Sequence, residues 1–128
     1  MRLLLDTHSF LWFITDDPKL SGRARESIED PGNAILLSMA SMWEMAIKAS
    51  LGRLQLARPF GVLMPDQLQQ NMIELMPIEL HHVVQVASLP FHHRDPFDRL
   101  IVAQALIERI PIVGVDGDFD AYGIQRIW

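Results

Sequence analysis

The sequence contains no cysteine, only two lysines among its eleven basic residues, and no long uncharged apolar run. Without cysteine, the chain has no disulfide scaffold, no thiolate metal site and no cysteine nucleophile. The longest uncharged apolar stretch, residues 34–43, is too short to cross a bilayer. The apolar residues 3–5 are followed at once by Asp6, which argues against a signal peptide. These absences predict a soluble protein of the cytoplasm.

A chain of 128 residues with 49% hydrophobic and 21% charged residues is expected to fold rather than remain disordered. At this length we expect one domain covering residues 1–128. The formal net charge of −5 argues at first against a nucleic-acid partner, because phosphate binding requires a positive surface. That argument depends on where the acidic residues lie in the fold.

Short apolar runs alternate with helical patterns along the chain. Strands are predicted at residues 3–5, 34–37, 75–76, 112–115 and 125–128. Helices are predicted at residues 9–14, 21–30, 38–50, 65–72, 79–88, 96–109 and 119–122, with Pro65 and Pro96 at first helical positions. This alternation indicates the α/β class, with a central, mostly parallel sheet covered by helices on both faces. Ligands of such sheets bind beyond the carboxyl ends of the strands.

Four acidic residues, far apart in the sequence, are expected at that edge of the sheet. Asp6 and Asp116 each follow directly after a predicted strand. Glu44 and Asp98 lie in the first turns of helices that begin at the same edge. The sequence therefore predicts that four carboxylates converge on one rim of the sheet.

Each of these acids also has a purely structural interpretation. Asp98 lies where acids complement a helix dipole, and Glu44 has the spacing of a capping box from Ser41. Asp6 and Asp116 could simply accept hydrogen bonds where a strand becomes a turn. Four unrelated caps, however, have no reason to share a rim, where their charges would repel one another. Bound Mg²⁺ or Mn²⁺ would relieve that repulsion, and without these four acids the net charge would be only −1.

The residues around these acids form motifs that follow one another along almost the whole chain. In order, they are Leu4-Leu5-Asp6-Thr7-His8; Ser41-Met42-Trp43-Glu44-Met45-Ala46-Ile47-Lys48 with Gly52; Leu89-Pro90; Asp95-Pro96-Phe97-Asp98-Arg99-Leu100 continuing to Ala103-Gln104-Ala105; and Asp116, Phe119, Tyr122-Gly123 and Ile127-Trp128. No single motif is decisive, but the ordered set is specific. The chain resembles the PIN-domain ribonucleases, and among them the VapC-like toxins of type II toxin–antitoxin pairs.

This resemblance implies a three-layer α/β/α PIN-like domain and a metal-dependent endoribonuclease that hydrolyses RNA phosphodiester bonds. The catalytic residues, which also bind Mg²⁺ or Mn²⁺, would be Asp6, Glu44, Asp98 and Asp116. The implied partner is a cognate antitoxin, with the toxin in a homodimer or a toxin–antitoxin hetero-oligomer. One departure is visible: the family often carries Thr or Ser two residues before the last acid, where this chain has Gly114. We expect a hydroxyl contact near the metals or the scissile phosphate to be missing.

The predicted metal roles differ among the acids. Asp6 and Asp98 are expected to bind metal in every state, whereas Glu44 binds it directly or through water and could orient the attacking water.

The histidines do not predict a zinc site. His81 and His82 are adjacent on a predicted helix, and neighbours in a helix are not expected to face one point.

Three further residues are candidates for substrate contacts, each with a structural alternative. Thr7 is either the N-cap of its helix, which we favour, or a phosphate contact. His93, in the loop before Asp95, contacts substrate or is a structural or solvated residue. Arg99 either clamps a phosphate or pairs with a buried acid.

Two other functions fit parts of the pattern. A covalent aspartyl phosphotransferase also places an Asp after its first strand, but its commonest hydrolase form needs a second Asp where this chain has His8. A non-catalytic protein-binding module would use its acids as helix caps and its apolar faces as partner surfaces. The first helix carries apolar residues on more than one side, as such a surface would: Phe10, Leu11, Trp12 and Phe13. Saturable stabilisation by Mn²⁺ would distinguish the enzyme from this module.

Overall fold

The structure, a computed structural model that describes residues 1–128, is built on a five-stranded sheet. The strands are β1 (Arg2–Leu5), β2 (Ala34–Ser38), β3 (Ile73–Met76), β4 (Ile112–Val113) and β5 (Arg126–Ile127). They lie in the order β3-β2-β1-β4-β5, and every neighbouring pair is parallel. The predicted parallel sheet is confirmed, and its carboxyl ends share one edge.

Helices cover both faces of this sheet. They are α1 (Thr7–Ile14), α2 (Gly22–Glu29), α3 (Met39–Ser50), α4 (Phe60–Gln70), α5 (Leu80–Val86) and α6 (Pro96–Glu108), with a 3₁₀ helix at Gly117–Tyr122. Successive side chains of β1 point to opposite faces, so Leu3 and Leu5 join one apolar cluster and Leu4 the other. Helices α1, α2 and α4 pack into the first cluster and α6 into the second. The predicted three-layer α/β/α architecture is therefore confirmed.

Helix α4 differs from its prediction. The sequence predicts that Pro65 begins this helix, but α4 begins at Phe60 and Pro65 lies in its interior. A proline inside a helix removes one backbone donor, which is why local propensity places it at the start. Leu63 and Met64 are buried in the core, and this packing outweighs the local cost. The other predicted elements occur with their ends displaced by at most two residues.

Helix α6 runs from the carboxyl edge of the sheet to the opposite end of the domain. Its N-cap is Asp95, whose carboxylate accepts hydrogen bonds from the backbone N–H groups of Phe97 (2.8 Å) and Asp98 (3.1 Å). Pro96 occupies the first helical position, as predicted. The helix ends at Arg109, which adopts a left-handed φ of 56°. None of the helices combines the length and apolar character that crossing a membrane requires.

Candidate functional site

A cleft of about 320 Å³ opens at the carboxyl edge of the sheet. The four acids that the sequence directs to this edge all line it: Asp6, Glu44, Asp98 and Asp116. The rest of the lining comes from Thr7, His8, Lys48, Asp95, Val115 and Phe119. The four carboxylates come from four separate segments, and only the parallel topology brings them together.

Asp6 is buried at the junction between β1 and α1. It is the N-cap of α1, where its Oδ1 accepts a hydrogen bond of 2.7 Å from the Ser9 backbone N–H. Burial raises the pKa of Asp6, although this hydrogen bond opposes the rise. A Cβ atom at Gly114 would lie only 2.7 Å from Asp6 Oδ2. The glycine that departs from the family pattern therefore provides the space in which the Asp6 carboxylate sits.

Glu44 is buried on α3, and both of its carboxylate oxygens are held. The Thr7 hydroxyl donates to Oε1 at 2.8 Å, and the Lys48 amine donates to Oε2 at 2.8 Å. Thr7 does not cap its helix, because Asp6 does; its favoured interpretation as the N-cap is wrong. The capping box from Ser41 is also absent, since α3 is capped by Ser38. The four-residue spacing of Glu44 and Lys48 is that of a helical ion pair, a signal already present in the sequence that could have predicted this contact.

Asp98 lies in the first turn of α6 but caps nothing, since Asp95 holds that role. Burial raises the pKa of Asp98 to about 6, and the negative charges of Asp95, Glu44 and Asp6 add to the rise. The nearby His93 opposes it. The structure thus places this carboxylate in a negative field that favours its protonation.

Asp116 is the N-cap of the 3₁₀ helix, and each of its oxygens accepts one hydrogen bond. Its Oδ1 accepts from the Asp118 backbone N–H at 2.9 Å, and its Oδ2 lies 2.7 Å from His93 Nε2. Partial burial alone would raise the pKa of Asp116, but the hydrogen bonds from His93 and from Asp118 lower it below its usual value. Asp116 therefore keeps its negative charge to a lower pH than an ordinary aspartate does.

Arg99 does not pair with an acid. Its buried guanidinium donates to four backbone carbonyls at 3.1–3.5 Å, that of Val86 at the end of α5 and those of Leu89, Pro90 and His93 in the loop before α6. The same guanidinium lies 4.1 Å from the ring centroid of Phe91. These carbonyls, and not a carboxylate, are the partners of the guanidinium, so the predicted pairing with a buried acid is wrong. Arg99 holds a loop in place, and its contact with a phosphate stays a prediction.

The neighbouring histidines at the other end of α6 also differ from their prediction. His81 and His82 do face one point: their Nε2 atoms lie 3.9 Å and 3.1 Å from Glu108 Oε1. The long Glu108 side chain reaches both rings from the end of α6. The Glu79 backbone N–H donates to His82 Nδ1, so the neutral ring carries its proton on Nε2 and donates it to Glu108. This tautomer does not suit metal binding through Nε2.

The donor set of the cleft suits a hard divalent cation. Four carboxylates offer oxygen ligands, which Mg²⁺ and Mn²⁺ prefer over nitrogen or sulfur. The raised pKa values of Asp6 and Asp98 mark two carboxylates whose ionised forms a cation would favour. At the rim, the ligand atoms of His93, Asp116 and Asp118 also lie within 4.8 Å of one another. These acidic clusters fit a bound metal ion.

The model of the PIN domain family matches residues 3–125 of the sequence. The chain therefore belongs to the PIN domain family, as its motifs suggested.

One curated protein is similar to part of this chain. The chain is similar to Ribonuclease VapC16 of Mycobacterium tuberculosis, with 39% identity over 57 residues, or 41% of this chain and 40% of that protein. The match thus spans less than half the length of that relative.

Similar folds occur in solved structures. Two of them are VapBC2 from Rickettsia felis bound to a DNA fragment from its promoter (TM-score 0.67, 15% identity, 98% of this chain and 97% of that one) and VapBC-1 from nontypeable Haemophilus influenzae (0.67, 14%, 98% and 96%). A toxin–antitoxin complex from Klebsiella pneumoniae is also similar (0.57, 15%, 91% and 89%). At these identities, the likeness establishes the fold.

Proposed function

We propose that this protein is a divalent-metal-dependent endoribonuclease and the toxin of a type II toxin–antitoxin pair. The observation that carries the proposal is the convergence of four acids from separate segments on one cleft of a PIN-domain fold. The ribonuclease name of the Mycobacterium tuberculosis relative supports RNA as the substrate.

The proposed ligands of Mg²⁺ or Mn²⁺ are Asp6, Asp98 and Asp116, with Glu44 binding directly or through water. When bound, such an ion makes water a better nucleophile at neutral pH and offsets the charge of a phosphodiester. Thr7 holds one oxygen of Glu44 and Lys48 holds the other, and all three residues line the cleft. Fixed in this way, Glu44 would accept a proton from the water that attacks phosphorus, as the bond to the leaving oxygen breaks.

RNA would approach from the open side of the cleft. Lys48 and His8 both line this opening, and the Lys48 side chain is 42% exposed. They are the groups we propose for contact with the RNA backbone, because Arg99 is engaged with its loop. A bound cation would complete the attraction of phosphate to an otherwise acidic rim.

A non-catalytic module is the second candidate, and one observation favours it. Asp6 and Asp116 do cap α1 and the 3₁₀ helix, as that interpretation requires. Asp98 argues against it, since it caps nothing and lies half-buried beside other acids. An acid with no structural partner in such a field is expected where a cation binds.

The proposed partner is an antitoxin, in keeping with the toxin–antitoxin complex among the similar folds. Helix α1 leaves Trp12 and Phe13 half-buried, and this helix is the surface we propose for contact with an apolar helix of the partner. Co-purification with the product of the neighbouring reading frame tests the partner. Trp12→Glu or Phe13→Glu should weaken that complex and leave RNA cleavage measurable.

The activity is tested with purified protein, a labelled single-stranded RNA and a DNA of the same sequence. We expect cleavage of RNA in millimolar Mn²⁺ and its loss in excess EDTA. Cleavage that persists in EDTA would contradict the metal mechanism, and cleavage confined to DNA would contradict the substrate. A parent protein that binds no Mn²⁺ and cleaves neither polymer would favour the binding module.

A further inference from the structure

His93 is held on both ring nitrogens and on both ring faces. Its Nε2 lies 2.7 Å from Asp116 Oδ2, and its Nδ1 lies 3.0 Å from the Tyr122 hydroxyl. The ring stacks between Phe119 (centroids 4.9 Å apart, 30° between planes) and Tyr122 (5.6 Å, 13°). The side chain is buried, with 6% of its surface exposed. These contacts fix the orientation of the imidazole ring, although it lies in a loop.

The partners of the ring determine where its proton lies. An ionised carboxylate only accepts hydrogen bonds, so His93 donates to Asp116 through Nε2–H. In the neutral ring Nδ1 is then the acceptor, and the Tyr122 hydroxyl donates to it. Tyr122 thus favours the tautomer that presents a donor to Asp116.

We propose that His93 is a positioning residue that orients the carboxylate of Asp116 for metal binding, with Tyr122 fixing its tautomer. The inference rests on the proposed function, in which Asp116 is a metal ligand. The hydrogen bonds from His93 and from the Asp118 backbone fix both oxygens of Asp116 and leave one lone pair on each directed elsewhere. Carboxylate ligands of metals are commonly oriented by such hydrogen bonds.

His93 could instead bind the metal itself together with Asp116 and Asp118, whose ligand atoms lie within 4.8 Å. The distance of 2.7 Å between His93 Nε2 and Asp116 Oδ2 argues against that. Two neighbouring ligands of an octahedral ion at about 2.1 Å stand roughly 3 Å apart. A separation of 2.7 Å is that of a charge-assisted hydrogen bond.

Arg99 extends this support to the backbone. Its guanidinium donates to the carbonyl of His93 and to those of Pro90 and Leu89. These hydrogen bonds fix the loop backbone that carries the His93 imidazole. Asp98, the preceding residue, lines the cleft itself. Two adjacent residues of α6 therefore serve two parts of the site: one supplies a carboxylate, and the other anchors the loop that orients a second carboxylate.

Three variants separate the hydrogen bond from the packing of the ring. His93→Gln keeps an N–H donor near the position of Nε2, whereas His93→Met keeps a similar volume without the donor. Both variants lose the aromatic stack equally. Tyr122→Phe keeps the stack and removes only the hydroxyl, so it serves even if His93→Met does not fold.

The primary measurement is the Mn²⁺ concentration that half-saturates each protein, followed by calorimetry or by the shift in melting temperature, without RNA. We expect half-saturation to require about 10- to 100-fold more Mn²⁺ in His93→Met, with most of the loss restored in His93→Gln. Tyr122→Phe should show a loss of about 2- to 5-fold. RNA cleavage at subsaturating Mn²⁺ should follow the same order.

Unchanged Mn²⁺ binding in both His93→Met and Tyr122→Phe would overturn the proposal. Equal losses in His93→Gln and His93→Met would also overturn it, because the ring itself and not its donor would then matter. A parent protein that binds no Mn²⁺ removes the basis of the proposal. A parent that binds Mn²⁺ in the expected order of variants but cleaves no RNA would refute the proposed function and leave the positioning role supported.

Discussion

Helix α6 carries an acidic side chain near each end, and the charges around the two side chains are of opposite sign. Asp98 and Glu108 are ten residues apart in the helix, about 15 Å along its axis. Glu108 Oε1 lies 3.1 Å from Nε2 of the buried His82, and Glu108 Oε2 lies 4.0 Å from Arg2 Nη1. Asp98 instead faces other acids, and its pKa is raised to about 6 by burial and by their charges. The carboxylate at the C-terminal end of the helix is therefore balanced by His82 and Arg2, whereas the carboxylate at the N-terminal end lies among other negative charges.

The helix dipole alone would produce the opposite result. A carboxylate is stabilised at a helix N-terminus, where Asp98 lies, and destabilised at a C-terminus, where Glu108 lies. The raised pKa of Asp98 shows that burial and like charge outweigh the dipole at that end. Keeping the Asp98 carboxylate ionised among these acids lowers the stability of the fold. A cation bound in the cleft would offset this repulsion and stabilise the protein. The two ends of α6 thus distinguish a polar cluster that supports the fold from one that suits a metal.

The largest effect is expected from Asp98→Asn. RNA cleavage should fall about 100-fold or more, because the variant loses a proposed metal ligand. In EDTA, however, the variant should be more stable than the parent by about 1–2 kcal/mol, since removing one charge relieves its desolvation and its repulsion by the neighbouring acids. The value is below the full linkage energy because the carboxylate is partly open to water. Activity assays and urea unfolding in EDTA measure the two changes.

Millimolar Mn²⁺ provides the control for that variant. The difference in stability should shrink or reverse, since only the parent gains the full binding energy of the metal. Reduced stability of Asp98→Asn in EDTA, with no gain for the parent in Mn²⁺, would support a purely structural role for Asp98.

Gly114→Ala should be the next most damaging change. The new Cβ would lie 2.7 Å from Asp6 Oδ2 and 3.1 Å from its Cγ, and Asp6 is fixed as the cap of α1. Displacing it should cost about 1–3 kcal/mol of stability and lower cleavage about 10-fold or more. Gly117→Ala is the matched control, because its Cβ would meet nothing within 4 Å. Equal activity of the two variants would show that the space at Gly114 is not needed.

The positions of the acids are predictable from the sequence because that information is local. A strand ending directly before Asp6, a strand ending shortly before Asp116, and a helix beginning near Asp98 follow from apolar runs, proline and capping residues. Parallel topology then directs all of these positions to one edge. The fold is predictable for the same reason, apart from Pro65, where tertiary packing outweighs the local propensity.

The orientation of side chains is less predictable because it depends on partners far away in the sequence. The Thr7 hydroxyl on α1 donates a hydrogen bond to Glu44 on α3, and the residues next to Thr7 in the sequence do not distinguish this role from a helix cap. Arg99 is expected at a phosphate or an acid, yet it satisfies the carbonyls of a loop that has no regular structure. The role of Gly114 likewise depends on the position of Asp6 in space. Such contacts join residues that only the tertiary fold brings together.

Glu108→Gln makes the same kind of change, from acid to amide, at the compensated end of α6. It should lower the free energy of unfolding by about 0.5–1.5 kcal/mol, because His82 loses its charged acceptor. RNA cleavage should stay within about twofold of the parent, since the His82 cluster lies at the far end of the helix. Unfolding in EDTA and steady-state cleavage check both statements. A large loss of cleavage would mean that the two ends of α6 are coupled.

The smallest effect concerns pH. The pKa of Asp98 rises from 3.8 to about 6 on folding, so the folded protein binds this proton more tightly than the unfolded chain. The contribution of Asp98 to stability therefore improves as pH falls from about 7 towards 4, where the group is protonated in the folded state. The advantage of Asp98→Asn over the parent in EDTA should be largest near pH 7.5 and shrink by about 1 kcal/mol towards pH 5.

Asp116→Asn supplies the control of opposite sign. The pKa of Asp116 is lowered in the folded protein, so its charge contributes stability above the unfolded pKa of 3.8 and loses it as pH falls below that value. This variant should therefore be less stable than the parent by a similar amount at pH 7.5 and at pH 5, unlike Asp98→Asn. Urea unfolding of the three proteins at both pH values, in EDTA, measures the two trends. A stability difference for Asp98→Asn that does not change with pH would show that the negative field of the cleft acts too weakly on Asp98 to favour a cation.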